Sequence, residues 1–229
     1  LGITIPEWPG GIPEDLDLYE SLKQHQIKYD FKLLPIHKEY YTMNLYDAKA
    51  PIIKQTMDSP AFSYKSCPQD TVLKYKSEDT ASKVYLPSGF SYTQPVIGKK
   101  IYELLASLNT PTIQLLKSSV SINGVEYNDY WTLNVHTLIK CIDFKHSNAL
   151  KDGHDDLVSD TEDPDDVETI HLIVDAAKLS KIPLEERLIF RFEEAKSEPI
   201  FHKSIVDKIK AIKAKNVDFT SLLNYYGNE

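Results

Sequence analysis

His171, Asp175, Arg191 and His202 are of the types that general acid–base chemistry uses, and all four fall in the C-terminal third of the chain. A hydrolase or nuclease would need such a set converging around a pocket. The local patterns give plainer roles. His171 alternates with Ile170 and Leu172, which places it on the solvent face of a strand. Arg191, between Phe190 and Phe192, points away from both and suits a structural carboxylate such as Asp143 or Asp175. No serine sits in a Gly-x-Ser-x-Gly elbow. Cys67 carries no thiol-protease signature, and no Gly-x4-Gly-Lys-Ser/Thr phosphate loop occurs. The expectation is no catalytic residue. A small hydrolase or nuclease built around His171, Asp175, Arg191 and His202 is the alternative.

Metal chemistry is read the same way. His146, His154, Asp155 and Asp156 are close in sequence, with Asp152-Gly153 just before the last three. A hard cation takes such oxygens, but the Gly and terminal Glu of a calcium loop are misplaced. No Cys/His quartet has zinc spacing. The chain is therefore expected to hold no metal and no cofactor. Cys67 and Cys141 are the two cysteines, far apart, and read as reduced core thiols.

Charge is the most uneven property of the chain. Residues 143 to 169 contain ten acids against Lys145 and Lys151, a net of −8, which equals the net charge of all 229 residues. Everything outside this segment balances at zero. A concentrated negative field on a neutral body calls for a basic partner or a cation. The candidate contact residues are Asp152, Asp155, Asp156, Asp160, Glu162, Asp163, Asp165 and Asp166, on an insertion spanning 148–168. At pI 5.4 the chain lacks the basic footprint of a nucleic-acid binder. No run of 18 apolar residues suggests a membrane span. The start at Leu1 lacks the regions of a signal peptide, although a trimmed leader is compatible with it. A cytoplasmic protein is expected. Lys203, Lys208, Lys210, Lys213 and Lys215 read as the solvated face of a helix.

The elements that would position these residues are uneven in clarity. Pro13-Glu14-Asp15 opens a predicted helix with an imperfect apolar stripe of Leu16, Tyr19, Leu22 and Ile27, and Tyr29, Phe31 and Leu33 alternate as a strand. Residues 47 to 94, with Pro51, Pro60, Pro68 and Pro87, predict short strands and loops. Further on, Ile97, Ile101, Leu104, Leu105 and Leu108 predict a helix. Asn123-Gly124 predicts a type I′ hairpin between strands at 112–122 and 126–142, with a bulge near Asn134. Strands are predicted at 170–174, 188–192, 199–201 and 217–219, with a helix at 203–213. At an offset of 104, residues 95–115 echo 199–219, which predicts a duplicated strand–helix–strand unit. The fold class is α+β, mainly antiparallel sheet with a few helices. Two lobes are expected, an aromatic-rich one at 1–90 and a second at 91–229. The fourteen tyrosines, Tyr40-Tyr41 foremost, fill a sheet core or form a recognition surface.

The run from Leu115 to Ser147 carries an aromatic entry to its second strand, then Leu133-Asn134-Val135, then Asp143 and Ser147. The run from Thr169 to Phe219 carries Val174-Asp175, then Phe190-Arg191, then strand, helix and strand. Together, over roughly residues 92 to 223, they resemble the bacterial immunity proteins of polymorphic toxin systems, the group first described in myxobacteria. The resemblance implies a cytoplasmic protein that binds one cognate toxin and blocks it by occlusion, with Asn134, Asp143, Ser147, Asp175, Phe190 and Arg191 as motif residues of structural role. Many such toxins present basic clefts, which an acidic insertion would complement. The chain departs from the family pattern in the length of that insertion.

Overall fold

The computed structural model describes residues 35–45, 49–57, 59–60, 65–77, 86–90, 94–143, 149–151, 167–169, 173–194 and 198–222. The predicted helix at Pro13, the strand at Tyr29 and the strand residues 170–172 lie outside them. The fold is α+β, as expected.

Two mixed, mostly antiparallel sheets carry the architecture. The first has the order β13-β1-β12-β11-β8, made of β1 (Tyr40–Asn44), β8 (Leu138–Ile139), β11 (Ile189–Phe192), β12 (Ile200–His202) and β13 (Asp218–Ser221). The second has the order β2-β3-β6-β7-β5-β4, made of β2 (Ile53–Gln55), β3 (Leu73–Ser77), β4 (Gly89–Phe90), β5 (Val96–Gly98), β6 (Ile113–Ile122) and β7 (Val125–Val135). Helix α1 (Lys99–Ser107) follows β5, α2 (Ala176–Ser180) precedes β11, and α3 (Lys203–Ala211) follows β12. A separate ribbon pairs β9 (Ala149–Lys151) with β10 (Val167–Thr169).

The β6–β7 hairpin forms as predicted, because Asn123 (φ 52) and Gly124 (φ 77) supply the two positive φ angles of the turn. Two details differ. The ladder irregularity lies between Ser118 and Val120, opposite Tyr127–Tyr130, and not near Asn134. Asn134 stays in regular register against Gln114, so its polarity marks an inward hydrogen bond and no bulge. The predicted strand 126–142 also stops at Val135, and β8 departs to join the other sheet beside β11.

The echo is structural, and it is more extensive than the offset of 104 alone reveals. β7 lies between β5 and β6, antiparallel to both. β1 lies between β12 and β13, antiparallel to both. The registers coincide residue for residue. Val96↔Thr132, Ile97↔Trp131 and Gly98↔Tyr130 in one sheet answer Ile200↔Thr42, Phe201↔Tyr41 and His202↔Tyr40 in the other. Gln114↔Asn134, Leu115↔Leu133, Leu116↔Thr132 and Lys117↔Trp131 answer Asp218↔Asn44, Phe219↔Met43, Thr220↔Thr42 and Ser221↔Tyr41. The two central strands therefore correspond at an offset of 90, and their sequences agree: Tyr130-Trp131-Thr132-Leu133-Asn134 against Tyr40-Tyr41-Thr42-Met43-Asn44. The flanking pairs Phe90↔Val96 and Phe190↔Ile200 match as well. Both helices exit through a left-handed residue at the same place, Asn109 (φ 47) and Lys213 (φ 51).

Divided at the Asn123-Gly124 turn, each part of the chain thus supplies the central strand of the other part's unit. β1 is an inner strand of the sheet that holds β12 and β13, and β3 pairs with β6, so strand pairing crosses the expected boundary in both sheets. The core follows the same symmetry. Ile101 and Leu105 of α1 and Ile205 and Ile209 of α3 join Ile97, Leu133 and Phe201 in one shared cluster. Two further clusters cover the far faces. Tyr40 meets Phe190 edge-on at 5.7 Å in one, and Tyr130 meets Phe90 at 5.1 Å in the other. Tyr40 is thus core and Tyr41 half-buried, so the pair is not an exposed recognition surface.

Candidate functional site

Of the motif residues, Asn134, Phe190 and Arg191 are fully buried. Asn134 is fully buried on β7. Its amide donates to Lys65 O at 3.0 Å and to Gln114 Oε1 at 3.3 Å. Gln114, opposite it on β6, accepts from Cys67 N at 2.7 Å and donates to Cys67 O at 2.9 Å. Two amide side chains on neighbouring strands therefore pin residues 65–67 across the sheet. A β-strand alternates faces, so polar side chains pointing inward must find such partners or pay the cost of desolvation.

Phe190 and Arg191 are both fully buried on β11, on opposite faces as the alternation predicts. Phe190 packs in the cluster with Tyr40. The Arg191 guanidinium crosses to the other sheet and donates to Gln94 Oε1, while its main-chain N–H donates to Thr137 O at 2.9 Å. Gln94 is itself buried, just before the proline that opens β5. It was not among the sequence candidates; a polar residue beside the repeated proline is the signal that would have raised it.

Asp143 and Asp175 are brought into adjoining segments. Ile142 and Val174 form an isolated antiparallel bridge, Asp143 N–H donates to Ile173 O at 2.9 Å, and Asp175 N–H donates to Cys141 O at 2.8 Å. Asp175 then caps α2: its carboxylate accepts from Lys178 N at 2.9 Å and pairs with Lys178 Nζ at 3.3 Å. The backbone hydrogen bond from Lys178 is the main cause that holds its carboxyl below the usual range. Close by, buried Glu194 accepts from Ile142 N at 3.1 Å, and burial pushes its carboxyl up. The Cys141 thiol is raised for the same reason, with the Glu194 charge adding to it. Both cysteines are free thiols, as expected, with Cys141 buried and Cys67 half-buried.

His202 caps α3, its Nδ1 accepting from Ser204 N at 3.2 Å, and its ring packs edge-on against Tyr40 with centroids 5.3 Å apart. Burial is the main cause that lowers its pKa, which favours the neutral, accepting imidazole. Arg191 and His202 lie on opposite faces of one sheet: Ile200 and His202 share the face of Phe190, and Arg191 alternates to the other. These two therefore do not converge, and Asp175 is engaged as a cap. A cleft of about 380 Å³ opens at the start of α1, lined by Gly98, Lys99, Lys100, Tyr127 and Tyr130 among others, and Asp175, Arg191 and His202 are not in its wall. The Tyr130 hydroxyl donates to Pro87 O at 2.9 Å, and burial pushes its pKa up to about 12.

Among the described residues, no group of three His, Cys, Asp or Glu side chains is placed to hold a metal ion, and no helix is long and apolar enough to cross a membrane. Lys203, Lys208, Lys210, Lys213 and Lys215 are exposed on and after α3, with Lys203 paired to Asp207 at 2.5 Å. The candidate contact residues Asp152, Asp155, Asp156, Asp160, Glu162, Asp163, Asp165 and Asp166, together with Ser147 and His171, lie outside the described residues. What is described is the ribbon that frames the insertion, with Lys151 registered against Val167 and Ala149 against Thr169. Compared with known protein families and with curated proteins, the chain matches none.

Proposed function

We propose that the chain is an immunity protein: it binds a cognate bacterial toxin in the cytoplasm and neutralises it by occlusion, with the acidic insertion as the steering surface. The observation that carries this reading is the charge distribution, a net of −8 concentrated in residues 143–169 on an otherwise neutral chain. Such a field raises the rate at which a basic partner is found and orients its approach. The burial of Asn134, Phe190 and Arg191 supports the division of labour, because side chains removed from solvent build a scaffold and leave recognition to other residues. The antiparallel ribbon β9–β10 pairs the two ends of the insertion with each other. A toxin reading frame is expected beside this chain's gene, and the test is co-expression of the two. Survival of cells carrying both genes, and co-purification of the two proteins, are expected. Undiminished toxicity in the presence of folded protein would refute the reading.

A further inference from the structure

Segments 141–143 and 173–175 meet in a two-strand stem, and residues 144–172, which include the acid-rich run, lie between them in sequence. Asp143 N–H donates to Ile173 O and Asp175 N–H donates to Cys141 O, so the stem's own hydrogen bonds flank the central pair Ile142↔Val174. In such an antiparallel pair the two central N–H groups point outward, away from the partner segment. Ile142 and Val174 are 2 % and 1 % exposed, so each outward N–H needs an acceptor. Each is met by an ionisable side chain from a different element. Glu194 Oε1, just past the end of β11, accepts from Ile142 N at 3.1 Å. His37 Nε2, on the 3-10 turn Pro35–Lys38, accepts from Val174 N at 3.1 Å. A main-chain carbonyl would satisfy either N–H at any pH. The His37 ring is 1 % exposed, and a ring nitrogen that accepts carries no proton, so the imidazole is neutral in this arrangement. A proton added at Nε2 turns that acceptor into a donor aimed at another donor.

We propose that His37 is a proton-operated clasp on this stem: protonation of its imidazole releases Val174 and opens the pairing of 141–143 with 173–175 while the rest of the fold stays closed. Only the neutral ring makes the bond, so the closed stem persists at high pH and is lost as pH falls through the titration of the ring in the folded state. The segments packed around His37 bring their own charges. Lys38 and Glu39, next to it in sequence, are exposed. On β1, Tyr40 is buried and bonded to Arg187, with His202 against its ring; burial lowers His202, which therefore charges later than an ordinary histidine as pH falls. On the stem, burial keeps the Cys141 thiol protonated, and Asp175, held low by its cap bond, stays ionised beside Lys178. Lys140 and Asp143 flank the stem, and β13 contributes Ser221, whose hydroxyl donates to His37 O. Glu194, raised by burial, also takes up a proton as pH falls, and substitution separates it from His37. The clasp makes the base of the acid-rich run respond to pH whether or not that run meets a toxin.

The experiment follows backbone amide exchange and the His37 ring signals of the full chain by NMR from about pH 7.5 to about pH 5, with rates corrected for the intrinsic pH dependence of exchange. Protection of the Asp143, Val174 and Asp175 amides is expected to fall together by about tenfold or more as the His37 ring protonates, while core amides such as those of Leu133 and Ile209 stay protected. His37→Gln offers an oxygen that accepts at every pH and should abolish the step; Glu194→Gln should retain it. Unchanged stem protection while the ring titrates, a ring that stays neutral until the protein unfolds, or loss of protection throughout the core at the same pH would each overturn the proposal. So would a step that survives in His37→Gln or disappears in Glu194→Gln. Should His37→Gln fail to fold, the coincidence of ring and amide titrations in the wild type decides the matter alone.

Discussion

Replacing Tyr40 by alanine tests the exchanged-strand architecture from the side that the sequence read least well. Tyr40 sits on β1, fully buried, with its ring edge-on to Phe190 at 5.7 Å and its hydroxyl accepting from Arg187 at 2.7 Å. Truncating a buried aromatic costs roughly 3–5 kcal/mol, and the edge-to-face contact is worth about 0.5–1.5 kcal/mol within such a figure. Its counterpart Tyr130 is 5 % exposed, meets Phe90 at 5.1 Å and donates to Pro87 O. Tyr130→Ala should therefore cost a similar amount, somewhat less where the neutral hydrogen bond replaces one from a guanidinium. Against a total stability of about 5–15 kcal/mol, either loss is large. Urea titrations followed by circular dichroism should show a single transition in the wild type and in both variants, moved to lower urea with unchanged slope. If Tyr40→Ala instead splits the transition, leaving residues 91–229 to unfold at the wild-type midpoint, the two halves are independent and the reasoning fails.

Three further outcomes follow from the geometry. Lys213 occupies a left-handed conformation at φ 51 that glycine adopts without strain, so Lys213→Gly should stabilise the protein by about 1 kcal/mol, read as a raised urea midpoint. Glu194 has its folded pKa raised by burial, so the native state binds more protons than the unfolded chain above the ordinary glutamate value of about 4.3; stability is fully present below that value and lost as pH rises through the folded pKa. Glu194→Gln should remove that loss, and parallel stability–pH curves for variant and wild type across this range would contradict it. A protease site inserted between the exposed Asn123 and Gly124 should yield a cut chain whose halves still co-elute, because each holds the other's central strand; separation in native buffer would refute the exchange.

The second half of the fold was legible because its signals are local. Asn123-Gly124 fixes a hairpin through two φ angles, and Ile101 with Leu105, or Ile205 with Ile209, fix one face of a helix. The place of β1 was not legible, because its neighbours β12 and β13 lie roughly 160 to 180 residues away in sequence and no local pattern encodes such a pairing. The repeat that would have revealed it, Tyr-Tyr-Thr-Met-Asn against Tyr-Trp-Thr-Leu-Asn, runs at an offset of 90, so a comparison held at 104 passes over it. The role of Arg191 was half legible: alternation gave its direction, but the Gln94 amide that receives it comes from the other sheet. Asn134 was read as a bulge because a polar residue interrupted an apolar strand; its partner Gln114 turns the same polarity into a clamp on residues 65–67.

The most direct test of the proposed function is the association rate with the proposed cognate toxin, measured at low and high salt. The wild type is compared with the variant carrying Asn at 155, 156, 163, 165 and 166. Steering by unscreened charge predicts fast, strongly salt-dependent association for the wild type, and slower, less salt-dependent association for the variant, with melting temperature little changed. Equal rates for the two proteins at low salt would contradict the account.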